Sequence, residues 1–390
     1  MQINDIQDYL VKHDLDGWLM ADFHGRNTIA VQFLGLSGIV TRRSFYFIPA
    51  AGDPVALVHA IEKDKFRDVP GQIRTYSSYR HLEDQLTNIV RPVDRVAMEY
   101  SPMGRLPYVG LVDAGTIELV RDMGVEIVSS ADLVARFQAR LSAEQIAAHR
   151  MAARNVIDVK EDAFAHVAAA IKDGRTLTEH DICRFILERF AALDMETASG
   201  PICAIDSHAG DPHYEPPETG STEIAEGQLI LIDLWARLKH AWGVYADITW
   251  VGYTGSRDDV PEKHARTFEI AAQARDKAVK FLRDNSETRP VCGYEVDNVC
   301  REVINAAGMG DHFTHRTGHS ITSSEHGTGP NIDNLETEDR RKLQKGHLFS
   351  IEPGIYLPDY GVRTEINVLM GHDGVEVTTL PIQEEIKPLL

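Results

Sequence analysis

Five side chains in the later part of the chain are of types that hold hard divalent cations: Asp233, Asp247, His319, Glu352 and Glu365. Asp233 closes the apolar run Leu229-Ile230-Leu231-Ile232, and Asp247 opens Asp247-Ile248-Thr249-Trp250-Val251, so both acids are expected on buried strands. Glu352 lies in Leu348-Phe349-Ser350-Ile351-Glu352-Pro353-Gly354-Ile355-Tyr356. Glu365 lies in Val362-Arg363-Thr364-Glu365-Ile366-Asn367-Val368, the same pattern of one acid inside a β-prone stretch. His319 sits in the glycine-flanked run His315-Arg316-Thr317-Gly318-His319-Ser320. A carboxylate in a dry interior is costly unless it is paired or metal-bound. Four carboxylates and one imidazole give rough charge balance for two divalent ions. The oxygen-rich set suits manganese first, with cobalt, zinc and iron also compatible. Two such ions about 3.5 Å apart would share a water and lower its pKa toward neutrality, giving a hydroxide nucleophile. With 59 acidic residues and 17 histidines, any one of these settings could arise by chance, but the five together argue against it.

The order Asp, Asp, His, Glu, Glu resembles a known family, the pita-bread metallopeptidases that include prolidase, aminopeptidase P and methionine aminopeptidase. The resemblance covers residues 142–390. It rests on His315-x-x-x-His319 with His326 seven residues further on, on Ser350-Ile351-Glu352-Pro353-Gly354-Ile355-Tyr356, and on Gly361-Val362-Arg363-Thr364-Glu365. Pro212-His213-Tyr214 resembles the segment carrying a substrate-side histidine, and His213, His315 and His326 together favour the proline-peptidase branch. The resemblance implies that Asp233 chelates one metal, that Asp247 and Glu365 bridge both, and that His319 and Glu352 complete the other. Glu352 would also move a proton for the attacking water. His326 and His213 would donate to the oxyanion, with His208 the alternative to His213. His315 would support them, and Arg363 would hold a ligand aspartate from behind. Thr249 is expected either to hydrogen-bond within the site or to serve as an ordinary strand residue.

Some residues depart from the family pattern. Asp233 and Asp247 are fourteen positions apart, more than is usual, so the turn at 236–243 is expected to carry the extra residues. The ligand faces survive only if those residues stay in the loop. Trp250 follows Thr249 where an arginine is common, Ser320 follows His319 in place of glycine, and Ile366-Asn367 follows Glu365 in place of an acid. These departures bear on substrate class more than on metal binding. The leading expectation is a dinuclear metal-dependent hydrolase of the Xaa-Pro dipeptidase or aminopeptidase type, acting on a small peptide. The alternatives are a creatinase-like or lyase-type enzyme acting on a small non-peptide polar substrate, and a binding module without catalysis. The intact ligand set argues against a metal-free route. Relatives are often dimers, so the resemblance also implies a homodimer.

The elements that must position these side chains fall into two groups. Residues 1–139 alternate helix and strand, with strands expected at 17–20, 44–49, 55–59, 95–99 and 125–128, an amphipathic opening helix, and a helical stretch over 104–123. This α/β domain resembles the N-terminal domain of creatinase and prolidase. Residues 140–390 are expected to form an α+β pita-bread catalytic domain. Ser142-Ala143-Glu144-Gln145 reads as a helix cap opening a long alanine-rich helix to about residue 171, and Thr178 opens a second to 193. The glycine- and proline-punctuated stretch 199–220 reads as loop. The aspartate hairpin follows, then helices at about 261–284 and 293–307, then the ligand-bearing strands.

Length allows two domains with sizeable cores, and 43% hydrophobic with 25% charged residues is the balance of a globular chain. A net charge of −19 argues against nucleic acid or an anionic membrane surface as a partner. No apolar run approaches the roughly 20 residues of a membrane span. The opening residues lack the basic and then apolar regions of a signal peptide, so a cytoplasmic location is expected. Cys183, Cys203, Cys292 and Cys300 show no C-x-x-C pairing and are expected to be buried thiols.

Overall fold

A computed structural model describes residues 3–38 and 40–390, and the chain divides into two compact units, Met1–Gln138 and Ala139–Leu390. Met1 and Gln2, which the sequence places at the start of the opening helix, lie outside the described residues.

The first unit runs α1 (Ile3–Lys12), β1 (Gly17–Asp22), α2 (Thr28–Leu34), β2 (Ser44–Pro49), β3 (Val55–His59), β4 (Gln72–Tyr76), α3 (Tyr79–Val90), β5 (Arg95–Met98), α4 (Ala114–Asp122), β6 (Glu126–Ser129) and α5 (Ala131–Phe137). Its strands form one mixed sheet in the order β4-β3-β2-β1-β5-β6. Both faces are dry because alternate residues feed two cores. Trp18, Met20, Tyr46 and Ile48 pack with α1, α2 and α5, while Leu19, Ala21, Phe45 and Phe47 pack with α3 and α4. The helix expected over 104–123 is shorter than that. Pro102 and Pro107 each open a single 3-10 turn, and α-helix begins only at Ala114, capped by the Asp113 carboxylate.

The second unit opens with α6 (Ala143–Lys172) and α7 (Glu179–Ala192). Each starts on a full capping box: Ser142 with Gln145, and Thr178 with Asp181. Then come β7 (Met195–Glu196), β8 (Ile202–Ile205), β9 (Leu229–Leu238), β10 (Ala246–Tyr253), α8 (Glu262–Asn285), α9 (Gly293–Ala306), β11 (Leu348–Ile351), β12 (Gly354–Leu357), β13 (Tyr360–Arg363), β14 (Ile366–Gly371), β15 (Gly374–Val377) and β16 (Lys387–Pro388). The stretch 199–220 is not all loop, since β8 pairs with β9 inside it. Its apolar residues Ile202, Ala204 and Ile205 are short enough to be hidden by the surrounding glycines and prolines. Three of the cysteines are buried, as expected. Cys292 is only partly so, because it stands at the N-cap of α9 with its thiol on the Arg340 carbonyl.

The β9–β10 ladder explains how acids come to sit in a core. Residues alternate in direction along a strand, so Ile230, Ile232, Leu234, Ile248 and Trp250 turn toward α6 and α7. Asp233, Trp235, Asp247 and Thr249 share the opposite face, with Asp233 paired to Thr249 and Asp247 to Trp235. Pairing runs without a bulge from 229 to 236 and from 246 to 253. The strand β9 continues to Leu238, so the connection is 239–245 rather than 236–243, and the residues that lengthen it stay beyond the ladder. The faces of both aspartates are therefore undisturbed. Among the described residues, no helix is long and apolar enough to cross a membrane.

Candidate metal centre

Asp233 and Asp247 project from the β9–β10 face toward the break between β13 and β14, where Glu365 sits. Glu365 is not inside a strand as the sequence suggested, nor is Glu352, which directly follows β11. A strand break frees a side chain from the pleat and lets the chain aim it sideways. The Glu365 amide donates to the Thr249 carbonyl (3.2 Å), and Thr249 Oγ1 donates to Glu365 Oε2 (2.9 Å), which ties the break to β10. Thr249 thus acts within the site. Behind Glu365, the buried Arg275 of α8 donates to Thr364 Oγ1 (2.6 Å) and to the Gln383 carbonyl (2.8 Å). Asn367 holds Asp247 through both of its polar atoms: the Asp247 amide donates to Oδ1 (2.9 Å), and Nδ2 donates to the Asp247 carbonyl (2.7 Å).

His319 arrives on a connection between α9 and β11. Gly318 before it lies so close to β11 that a Cβ would meet the Ser350 carbonyl oxygen at 1.9 Å, so only glycine allows this approach. The His319 amide donates to Ser350 Oγ (2.9 Å), and that hydroxyl donates to Glu352 Oε1 (2.9 Å). The imidazole Nε2 is 3.5 Å from Asp247 Oδ2 and 3.4 Å from Glu352 Oε1. Ligand atoms of Asp247, His319 and Glu365 all lie within 4.8 Å of one another. Ser320 shapes the following turn: its amide donates to Asn331 Oδ1 and its hydroxyl accepts from the Gly329 amide.

Arg363 lies under the cluster and is 4% exposed. Its guanidinium donates to Asp233 Oδ2, to Thr249 Oγ1 (2.9 Å) and to Tyr356 OH (2.9 Å). His315 joins the same network, with Nε2 2.7 Å from Tyr356 OH and Nδ1 2.7 Å from the Arg316 carbonyl. Both ring nitrogens are engaged inside the protein, and burial pushes its pKa down to about 3. His315 therefore stays neutral and braces Tyr356 and Arg363. His326 stacks edge-on against His319 with ring centroids 4.2 Å apart, yet 59% of its side chain is exposed. His213 is exposed too, close enough to His326 for its charge to bear on that ring. His208 is placed differently: its Nδ1 faces the buried Glu179 carboxylate at 2.9 Å and its ring stacks on Tyr214.

The electrostatics of the cluster are those of an acid nest short of cations. Burial, then the charges of Glu365 and Asp233, raise Asp247 well above the ordinary carboxylate range. Burial, then Glu352 and Asp233, do the same to Glu365. Glu352 is pushed up to about 7 by burial, against the opposing pull of Arg363 and Arg316. Burial also holds the His319 imidazole well below its usual value, so it is an unprotonated donor of a lone pair. Asp233 Oδ1, Asp247 Oδ1 and Glu365 Oε1 are buried without any hydrogen-bond partner, and a buried anion left unpaired is among the costliest arrangements a protein can hold. One further acid, Glu325, stands at the edge of the cluster: burial and the Asp233 charge push it up to about 7. Sequence reasoning assigned no role to Glu325 or Glu179, nor to Tyr356 and Asn367, although these two stand in the stretches around Glu352 and Glu365. The only signal for Glu325 was its place beside His326.

A model of metallopeptidase family M24 matches residues 152–372, more than half of the chain. An uncharacterized peptidase of Staphylococcus epidermidis is 29% identical over 174 residues, 44% of each chain. An Xaa-Pro dipeptidase of Pyrococcus furiosus is 34% identical over 157 residues, 40% of this chain and 41% of that one. The chain thus spans under half the length of these curated relatives. In three dimensions it is similar to the dipeptidase PepE of Mycobacterium ulcerans, with a TM-score of 0.76, 20% identity, and 100% and 97% of the two chains covered. That likeness shows the two-domain pita-bread fold with mixed sheets. With a family match that spans every acid of the cluster and a fold of this kind around it, the chain belongs to metallopeptidase family M24.

Proposed function

We propose that the protein is a dinuclear metal-dependent exopeptidase that cleaves Xaa-Pro bonds, with Asp233, Asp247, His319, Glu352 and Glu365 as the metal ligands. The observation that carries this reading is the set of three buried carboxylate oxygens, one each on Asp233, Asp247 and Glu365, that have no hydrogen-bond partner. A donor set of four carboxylates and one neutral imidazole fits two divalent cations, and Arg363, paired to Asp233, offsets only part of its charge. Manganese is the ion favoured by this oxygen-rich set. When bound, the ions supply activation of water as a nucleophile at neutral pH and polarisation of the scissile carbonyl.

The chain's own groups do the rest. Arg363 fixes Asp233 and Thr249 fixes Glu365, so that two ligands are oriented from behind by donors that do not themselves reach the cleft. Glu352, held by the Ser350 hydroxyl at Oε1, would accept a proton from the attacking water and pass it to the leaving imide nitrogen. The exposed imidazoles of His326 and His213 would serve as hydrogen-bond donors for the negative charge that develops on the scissile carbonyl oxygen. The likeness to an Xaa-Pro dipeptidase supports proline on the C-terminal side of the bond.

The test is hydrolysis of an Xaa-Pro dipeptide and of a longer Xaa-Pro peptide by the purified protein, with Mn²⁺ and with chelator. Metal-dependent release of proline, or of the N-terminal residue, is expected. Silence toward both, with two metal ions still bound per chain, would overturn the peptidase reading and favour a small non-peptide substrate.

A further inference from the structure

Outside the ligand set, one carboxylate at the cleft has no cation of its own. Glu325 is 21% exposed at its side chain, and among the described residues no lysine or arginine lies within ion-pair distance of it. Its nearest polar groups are Ser199 Oγ, 3.5 Å from Oε2, and His326 Nε2, 3.5 Å from Oε1. Both contacts lie at the outer limit of a hydrogen bond, the first to a neutral hydroxyl and the second to a ring that is 59% exposed. Arg237, on the neighbouring strand, is already taken by Glu196 and by the Ser323 carbonyl. Leaving a half-buried carboxylate without a counter-charge is unfavourable in the free protein and becomes favourable when a ligand brings the charge.

The surroundings of Glu325 suit a long cationic side chain. Trp235 lies across the ladder from Asp247, on the face that carries both aspartates, and its indole N–H donates to Ser199 Oγ (3.2 Å). Trp235 is 8% exposed and packs with Val244, Tyr245 and Ile321, so it offers the edge of its ring, beside Ser199, to the methylene stem of a lysine or arginine whose charge meets the acid. The wall is braced from outside, since Tyr245 OH accepts from the Ala198 amide next to Ser199 (3.1 Å).

We propose that Glu325, with the Trp235–Ser199 wall, forms a subsite for a positively charged side chain, so that the site selects lysine or arginine on the N-terminal side of the bond it cleaves. The cleavage rests on the peptidase reading, but the subsite itself is a binding property. The test therefore has two readouts on the Mn²⁺-supplemented protein: calorimetric titration and hydrolysis, each with Lys-Pro, Nε-acetyl-Lys-Pro and Glu-Pro. The acetylated peptide keeps the α-ammonium group and removes only the side-chain charge, so it separates a subsite for the side chain from one for the peptide terminus.

Lys-Pro is expected to bind about tenfold more tightly than its acetylated form, and more tightly still than Glu-Pro. Glu325→Gln should bring the Lys-Pro to acetyl-Lys-Pro ratio close to one, mostly through KM where turnover is seen. Glu325→Lys should invert the Lys-Pro to Glu-Pro preference. Equal binding of all three peptides, or a preference that survives both substitutions, overturns the subsite. Charge-selective binding that Glu325→Gln abolishes, with no hydrolysis of any peptide, upholds the subsite and overturns the peptidase reading. No binding of any peptide overturns both.

Discussion

Replacing Arg363 by methionine isolates what one buried guanidinium does for the cluster. Methionine fills much of the stem and brings no charge. The bond to Asp233 Oδ2 is charge-assisted and contributes roughly 1.5–3 kcal/mol, while a bond to a neutral hydroxyl contributes about 0.5–1.5 kcal/mol. The two hydroxyls keep second partners, Glu365 for Thr249 and His315 for Tyr356, so neither is orphaned. Asp233 is different. Its Oδ1 already lacks a partner, so the substitution leaves both oxygens of a buried carboxylate unpaired among the described side chains. Breaking one half of a buried pair typically costs about 3–5 kcal/mol, and that is the loss expected here in chelator. With saturating Mn²⁺ a cation would take over as the counter-charge of Asp233, so the loss should shrink to about half. The assay is urea-induced unfolding followed by tryptophan fluorescence, run in chelator and in Mn²⁺. A loss below about 1 kcal/mol in chelator, or equal losses in both conditions, would refute the argument that Asp233 depends on Arg363 when no metal is bound.

Three other measurements follow from the same geometry. A metal present at about 100 times its dissociation constant stabilises by about 2.7 kcal/mol, so chelation should lower the unfolding midpoint, and His319→Ala should remove most of that difference. His149 is fully buried between the Tyr245 carbonyl (2.8 Å) and Thr378 Oγ1 (2.7 Å), and burial pushes its pKa down to about 4. An unfolded histidine titrates near ~6.5, so the unfolded state binds more protons between the two values and stability falls as pH drops through that window. The loss approaches about 3 kcal/mol, and His149→Gln should flatten the slope of stability against pH there, whatever it does to absolute stability. Glu179, buried at the start of α7, accepts from the Ile205 amide (2.8 Å), the His208 ring (2.9 Å) and Tyr214 OH (2.6 Å), pinning the segment that carries His213. Glu179→Ala leaves those donors without their acceptor, and a destabilisation of about 2–4 kcal/mol with a raised KM is expected, read by denaturation and steady-state kinetics. Loss of stability with KM unmoved would separate Glu179 from substrate binding.

What could be read in the sequence was local. The strands at 44–49 and 55–59 and the capping box at Ser142 are set by neighbours within a few residues, and the structure has them where the pattern puts them. The strand Gln72–Tyr76 went unseen because its alternating polar residues leave it without an apolar run, and its pairing to β3 comes from elsewhere in the chain. At the site, residue types and order singled out the acids, but not their supports. Asn367 clamps the backbone of Asp247 across 120 residues, and Arg275 reaches Thr364 across 89. Neither relation leaves a trace in spacing. The same holds for Glu325, whose meaning lies in what is absent around it.

The distance between the two aspartates shows why spacing is the weaker guide. Fourteen positions looked like a departure that could turn one ligand away from the site. In a two-stranded ladder, though, a side chain's direction depends on register and not on the length of the connection. Asp233 faces Thr249, and Asp247 lies two residues before Thr249 on the same side of β10, so both point into one cleft. Any odd or even number of residues can be placed in 239–245 without changing that, provided the pairs Asp233 with Thr249 and Asp247 with Trp235 are kept. A one-residue slip in pairing would turn one strand's acid out toward α6, whereas lengthening the loop does not. The physical constraint on the metal centre is therefore the register of β9 against β10, held by the apolar face packed on α6, rather than the count of residues that separates its two acids.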